Sequence, residues 1–276
     1  MIEELTMRLE DYLIRIGYEG DVQPDFGCLT RIHRCHALTV PYENLDVQLE
    51  RPLDQDLERI FHKIVTRRRG GWCYEQNGLL DWALSEIGFD VTRVAAAVAR
   101  REYGDEKLGN HLILLVKLDK TYIVDLGLGD ASRTPLPLVE STHQHGELAF
   151  RLERINEGYW RFHNHSFGDP TSYDFRQEAA DESLLASKNQ ALQTSPDSIF
   201  VQNLAAHIMH ENSITSLTGK VIRVKTSAGT TKTLLSSAKE LETTLADIFG
   251  IEDPEIQSIW PKIQARHTAL FGDQSL

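Results

Sequence analysis

The hydrophobic period changes near residue 90, and this change restricts the fold more than any other feature of the chain. Before it, apolar residues recur at helical spacing. Ile2, Leu5, Met7, Leu9, Tyr12, Leu13 and Ile16 run up to Gly17. Leu29, Ile32 and Cys35/His36 follow from about Asp25. Leu57, Ile60, Phe61 and Ile64 lead to Gly70-Gly71, and Cys73, Gln76/Asn77, Leu80, Leu84 and Ile87 end at Gly88. After it the period is two. Val91–Arg100, Asn110–Leu118, Thr121–Leu126, Glu147–Ile155 and Gly158–Asn164 read as antiparallel strands, with breaks at Gly104-Asp105, Asp119-Lys120 and Asn156-Glu157. Beyond Thr194-Ser195-Pro196-Asp197-Ser198 the texture is mixed: strands are expected at Phe200–Met209, Ser213–Leu217 and Lys220–Thr226, and helices at Ala238–Phe249 and Asp253–His267. Helices, then a run of strands, then a small α/β end make an α+β protein with a barrel or curled sheet, not a chain of βαβ units. No Gly-rich phosphate loop of Rossmann or Walker type is present, so a nucleotide fold is not indicated.

The length of 276 residues suits about two domains and a sizeable core. The formal charge of −12 argues against general binding to nucleic acid or to an anionic membrane. The longest apolar runs, such as Leu112–Val116, fall far short of the ~20 residues that span a bilayer. Met1-Ile2-Glu3-Glu4 is acidic without an apolar stretch, so no signal peptide is expected. Three cysteines without framework spacing suit free thiols in a reducing cytoplasm.

The segment Arg67-Arg68-Arg69-Gly70-Gly71-Trp72-Cys73-Tyr74-Glu75-Gln76-Asn77 holds the most chemical information. Two glycines allow a tight turn and a close backbone approach. Cys73 then opens a helix, where the positive end of the dipole favours the thiolate. Most free cysteines are small buried hydrophobes; the glycines before Cys73 and the helix start after it favour a nucleophile. A cysteine nucleophile needs a base, and the base an orienter. His111 sits near the start of the apolar strand His111-Leu112-Ile113-Leu114-Leu115-Val116, and Asp125 ends the next one, Tyr122-Ile123-Val124-Asp125. A core histidine and a turn cap are the plain readings of these two residues. Yet they are symmetric about residue 118, and a hairpin turning at 118–120 brings them within about one or two ladder rows. One site then holds thiolate, imidazole and carboxylate in the chain order Cys, His, Asp.

Other groups carry less. Cys28, His33, Cys35 and His36 match no zinc spacing and read as a structural helix. The pairs His143/His145 and His163/His165 read as a solvated face. Arg67–Arg69 reads equally as a phosphate site or as a helix end complementing its dipole.

At these residues the chain resembles the arylamine N-acetyltransferases. Arg69, Gly70, Gly71, Trp72, Cys73, Glu75 and Asn77 match that family's Arg-Gly-Gly-aromatic-Cys-x-Glu-x-Asn pattern. Asn110 and His111 match its Asn-His before an apolar strand, and Asp125, Gly127 and Gly129 its Asp-x-Gly-x-Gly. Tyr12–Tyr18, Val40–Asp46 and Ser195–Ser198 are further matches, so the resemblance spans residues 12–200. It implies a helical domain (1–90) carrying the nucleophile, an antiparallel β-barrel domain (91–195) carrying His and Asp, and an α/β lid (196–276), with a cysteine-protease-like Cys73-His111-Asp125 site. It implies acetyl-CoA as cosubstrate, no metal, and an arylamine, arylhydroxylamine or hydrazine acceptor in xenobiotic metabolism. Transfer would run by a ping-pong mechanism through an acetyl-cysteine. An amide synthase or a Cys hydrolase could use the same triad. The resemblance places Tyr42, Val98, Gly109, Leu128 and Gly129 at the substrates. Leu128 stands where the family often has Phe, so the acceptor slot is expected to be reshaped.

Overall fold

A computed structural model of the chain describes residues 7–272; Ile2 and Leu5 lie outside them. The N-terminal part is helical, as its periodicity predicts. Leu9–Ile16 ends on Gly17 in the left-handed conformation, and Phe26–Thr39 starts where the Asp25 carboxylate accepts from the Cys28 N–H at 2.7 Å. Leu57–Phe61 is capped by Asp56 and tightens into a π-helical turn, His62–Thr66, before the glycine pair. Cys73–Ile87 follows and stops at Gly88.

The middle of the chain forms an eight-stranded antiparallel, barrel-like sheet. Its strand order is Leu136–Pro137, Thr121–Val124, His111–Lys117, Asp90–Val98, Ser172–Phe175, Trp160–His163, Leu148–Arg154 and Ser141–His145. Its inward positions, among them Val94, Ile113, Ile123, Phe150, Phe162 and Phe175, make one apolar cluster. Strand His111–Lys117 is buried on both faces because its other side packs on helix Cys73–Ile87.

A second sheet has five strands in the order Tyr42–Glu43, Ala205–Met209, Ile214–Thr218, Val221–Thr226 and Gly229–Leu234. Its first strand comes from the helical N-terminal part, so residues more than 160 positions apart share one sheet. One face packs Ala206, Ile208, Leu217 and Ile222 against helices Ala238–Phe249 and Trp260–Phe271. Among the described residues no helix is long and apolar enough to cross a membrane.

The elements differ from the expected ones at several points. Residues Ile199–Gln202 are helical, because the Ser198 hydroxyl accepts from the Phe200 N–H, and the strand begins only at Ala205. The last helix is split into a 3-10 turn, Ile256–Ile259, and an α-helix that opens at Trp260-Pro261, where proline suits the first turn. Helix Glu182–Thr194 has no expected counterpart: only Leu185 and Asn189 are buried, so it carries almost no apolar stripe. Strand Gly229–Leu234 is an exposed polar edge without hydrophobic alternation. Ser172–Phe175 is short, and Ser141–His145 is polar and half exposed.

Candidate active site

Cys73 is the first residue of its helix and is 3% exposed. Two contacts set its position. The Glu75 carboxylate accepts from the Trp72 N–H at 3.2 Å and is itself held by Lys63 Nζ at 2.9 Å, which fixes the first turn. Ahead of it, Gly70 lies so close to Pro41 that a Cβ would fall 2.1 Å from the Pro41 carbonyl oxygen. That is why glycine is needed there: close approach, with no left-handed backbone involved. The approach lets Gly71 exchange hydrogen bonds with Pro41 and Glu43, which fastens the strand Tyr42–Glu43 beside Cys73.

His111 and Asp125 come together as the hairpin argument predicts. The observed register, Lys117 opposite Thr121 and Leu114 opposite Val124, centres the hairpin one residue later than expected. His111 Nε2 and Asp125 Oδ2 are 2.9 Å apart, and both residues are buried. Burial by itself would lower the His111 pKa, but the Asp125 charge, its hydrogen bond and the Cys73 side chain outweigh it and raise it to about 10. Burial likewise acts to raise the Asp125 pKa, and His111, with hydrogen bonds from Asn77 and Gly127, overcomes it and holds the pKa below the ordinary value. The two shifts agree on an imidazolium–carboxylate pair. The Tyr173 ring, 5.2 Å from the imidazole, packs on the same pair.

Asn77 joins the helix to this pair. One helical turn beyond Cys73 and fully buried, it donates to the Asp125 carboxylate at 2.9 Å and to the Leu112 carbonyl at 2.6 Å. Its own oxygen accepts from the Leu126 N–H at 2.9 Å. The loop after Asp125 is drawn onto Cys73: a Cβ on Gly127 would fall 2.5 Å from the Cys73 Cβ. Behind it, His33 Nε2 lies 3.3 Å from the Asp125 carbonyl, and burial lowers the His33 pKa to about 4.

The residues expected at the substrates divide into two groups. Tyr42 packs in one apolar cluster with Cys73, Trp72, Tyr74, Leu112 and Leu185. Gly129 has a left-handed φ of 75° and lies on the Tyr42 side chain, where a Cβ would fall 2.7 Å away. Gly109, also left-handed, accepts from the Tyr74 hydroxyl at 2.5 Å, beside the strand of His111. Val98 and Leu128 instead pack with the barrel core; Val98 is pinned by two hydrogen bonds with Asn110.

Arg69 is neither a phosphate ligand nor a dipole complement. It is 1% exposed and pairs with Glu43 at 2.7 Å and Asp253 at 3.4 Å, because a guanidinium buried at this depth needs carboxylate partners. Lys63, Asp46 and Arg51 extend the network, which ties the helix of Cys73 to the C-terminal segment. Sequence reasoning missed this network, and also the roles of Asn77, His33 and Tyr173. Asn77 was within reach, since a polar residue one turn from Cys73 on its buried stripe needs partners.

A family model described as N-acetyltransferase matches residues 25–255. The arylamine N-acetyltransferase, pineal gland isozyme NAT-3, of Gallus gallus is 33% identical, over 89% of this chain and 94% of its own length. The arylamine N-acetyltransferase of Mycolicibacterium smegmatis is 32% identical over 90% and 93%. Among solved structures, Mycobacterium marinum arylamine N-acetyltransferase in complex with CoA superposes with a TM-score of 0.83, at 28% identity, covering 94% of this chain and 98% of that one. Similarity of this extent, on a buried His–Asp pair set against a helix-opening cysteine, means that the chain is an acetyltransferase and belongs to the arylamine N-acetyltransferase family.

Proposed function

We propose that the chain N-acetylates arylamines, arylhydroxylamines or hydrazines from acetyl-CoA by a ping-pong mechanism, with Cys73 as nucleophile, His111 as base and Asp125 as its orienter. The observation that carries this reading is the buried His111–Asp125 pair at 2.9 Å, with Cys73 among the groups that hold the imidazole protonated. Support for the donor comes from the CoA complex of the M. marinum enzyme.

In the first half-reaction the Cys73 proton resides on His111 and the thiolate attacks the acetyl carbonyl. Backbone N–H groups near Cys73 stabilise the tetrahedral oxyanion. Its collapse breaks the carbon–sulfur bond to CoA, and the imidazolium returns the proton to the departing thiolate. In the second half-reaction the amine attacks the acetyl-cysteine, His111 takes the amine proton and then gives it to the leaving Cys73 sulfur. Asp125 holds the ring and stabilises its charged form throughout. Tyr42 and Gly129 form the near wall of the substrate site, Val98 and Gly109 its barrel side, and Leu128 the slot for the aryl ring. The chain works as a helical domain, a barrel domain and an α/β lid, divided near residues 90 and 195.

Intact-protein mass spectrometry tests this. Acetyl-CoA alone should leave one durable acetyl group on Cys73, and an aromatic amine should remove it. A Cys hydrolase would lose the adduct without an amine, and an amide synthase would prefer a longer acyl chain. Absence of any adduct refutes the proposal.

A further inference from the structure

The loop that follows Asp125 is stitched to its surroundings at several points, and one of them is a buried ion pair. Gly127 lies on Cys73, as described above. Gly129 lies on the first two strands of the five-stranded sheet: a Cβ there would fall 2.7 Å from Tyr42 and 3.0 Å from His207. Arg133 donates to the His210 carbonyl at 2.8 Å and to the Ser213 carbonyl at 3.1 Å, in the turn between strands Ala205–Met209 and Ile214–Thr218. Between Gly129 and Arg133 stands Asp130, which is 0% exposed. Its carboxylate accepts from Lys225 Nζ at 3.1 Å, and Lys225 belongs to strand Val221–Thr226 of the same sheet.

Asp130 also holds the segment that follows strand Trp160–His163. Its carboxylate accepts from the Asp169 N–H at 2.9 Å and from the Asn164 side-chain amide at 3.2 Å, and its carbonyl accepts from His165 Nε2 at 2.7 Å. Lys225 donates to the Phe167 carbonyl of that segment at 2.9 Å, and its side chain is 11% exposed. Both charges are therefore buried with partners, as buried charges must be. Among the described residues this is the one ion pair that joins residues 91–195 to residues 196–272. The other ion pairs that tie the C-terminal part to earlier residues end on Arg34, Arg51, Arg67 and Arg69, all in the helical N-terminal part. An ion pair at this depth fixes one arrangement of the loop on the sheet, because any other leaves a buried charge unpaired.

We propose that Asp130 is a positioning residue for the transfer reaction: clamped to Lys225, it holds the Gly127–Gly129 segment against the five-stranded sheet and so closes the approach to Cys73 against bulky reactants. Gly129 has no side chain with which to hold itself on Tyr42 and His207, and the next residue in the chain supplies the hold. When Lys225 lets go, loop and sheet part at Gly129, and the sulfur of Cys73, a residue 3% exposed in the closed form, opens to solvent on that side. Asp125 keeps its own partners, Asn77 and the Gly127 N–H, so the clamp acts on access and leaves the His111–Asp125 pair in place. The proposal deepens the acetyl-transfer reading above. Its test reads access to a thiol instead of acetylation, so the two fail separately.

The test alkylates the full chain with two reagents that share a reactive group and differ in bulk, N-methylmaleimide and N-(1-pyrenyl)maleimide, and follows Cys73 by peptide mass spectrometry. In the wild type the small reagent is expected to react faster at Cys73. Asp130→Asn and Lys225→Met should each lower the small-to-large rate ratio by about tenfold, the population shift that follows the loss of one charge-assisted hydrogen bond. The double variant should match the stronger single variant, because both changes break one contact. Lys225→Arg keeps a cation on the strand and should restore most of the ratio lost in Lys225→Met; these two variants decide the case should Asp130→Asn fail to fold. Cys28, 0% exposed on helix Phe26–Thr39, reports unfolding and should stay slow throughout. A ratio within about twofold of wild type in both single variants overturns the clamp. So does Cys28 labelling that rises in step with Cys73, or a wild type that takes both reagents equally fast. Acetyl-CoA added to the same proteins keeps the readings apart: an adduct on Cys73 with unchanged ratios overturns the clamp alone, and changed ratios without any adduct overturn acetyl transfer alone.

Discussion

Replacing Asn77 by Ala tests whether one side chain holds the helix of Cys73 and the His–Asp pair in register. The change removes donors to the Leu112 carbonyl and the Asp125 carboxylate, and the acceptor of the Leu126 N–H, all in a fully buried setting. Asp125 Oδ1 keeps the Gly127 N–H at 2.8 Å, so its loss is partial. An orphaned buried polar group costs ~1–3 kcal/mol, and a bond to a charged acceptor contributes about as much, so the sum is about 3–5 kcal/mol. At the ~2 °C per kcal/mol of a chain this size, Tm should fall by roughly 6–10 °C. Acetylation of Cys73 by acetyl-CoA, followed by mass spectrometry well below the new Tm, should slow by about tenfold or more, because the imidazolium's partner is no longer clamped. Asn77→Asp separates the donor from the volume. It keeps the size but sets a second carboxylate against Asp125, so it should be slower than the Ala variant. An Asn77→Ala protein with unchanged Tm and a wild-type acetylation rate would refute the reasoning.

Four further outcomes follow from the same site. Cys73→Ala should give no acetyl adduct and no transfer, since no other group forms the thioester; turnover above a few per cent from folded protein contradicts the nucleophile. Asp125→Asn should lower kcat toward the ~10⁴-fold loss of the analogous swap in a serine-protease triad, and rates near wild type with an intact melt would reduce Asp125 to a turn cap. The raised His111 pKa makes stability depend on pH: its contribution is fully present below the ordinary value of 6.5 and is lost as pH rises toward about 10. The Tm gap between wild type and His111→Gln should therefore shrink across that interval, and a constant gap refutes the pair. Leu128→Phe should change relative kcat/KM among arylamines by about 1–3 kcal/mol, and an unaltered amine profile places Leu128 outside the acceptor slot.

Local pattern decides what depends on neighbours in the chain. The change of period near residue 90 announced helices followed by an antiparallel sheet, because apolar residues must face a core at 3.6 or 2.0 residues per repeat. Cys73 at a helix start, and His111 and Asp125 on two strands of one hairpin, could be read because a helix cap and a hairpin are local geometry. Even there the turn's centre was off by one residue, since register is set by the turn conformation and not by composition. Helix Glu182–Thr194 and strand Gly229–Leu234 were illegible for a related reason: each buries too little apolar surface to leave a periodic trace. Tertiary structure alone decided the long-range pairings. Tyr42 joins a sheet built mainly from residues beyond 200, Arg69 finds Asp253, and Asn77 finds Leu126. Such contacts satisfy buried polar groups, and burial follows from how the whole chain packs. No stretch of sequence records which distant residue will stand opposite, so the His111–Asp125 hairpin could be read in advance and the pairing of Arg69 with Asp253 could not.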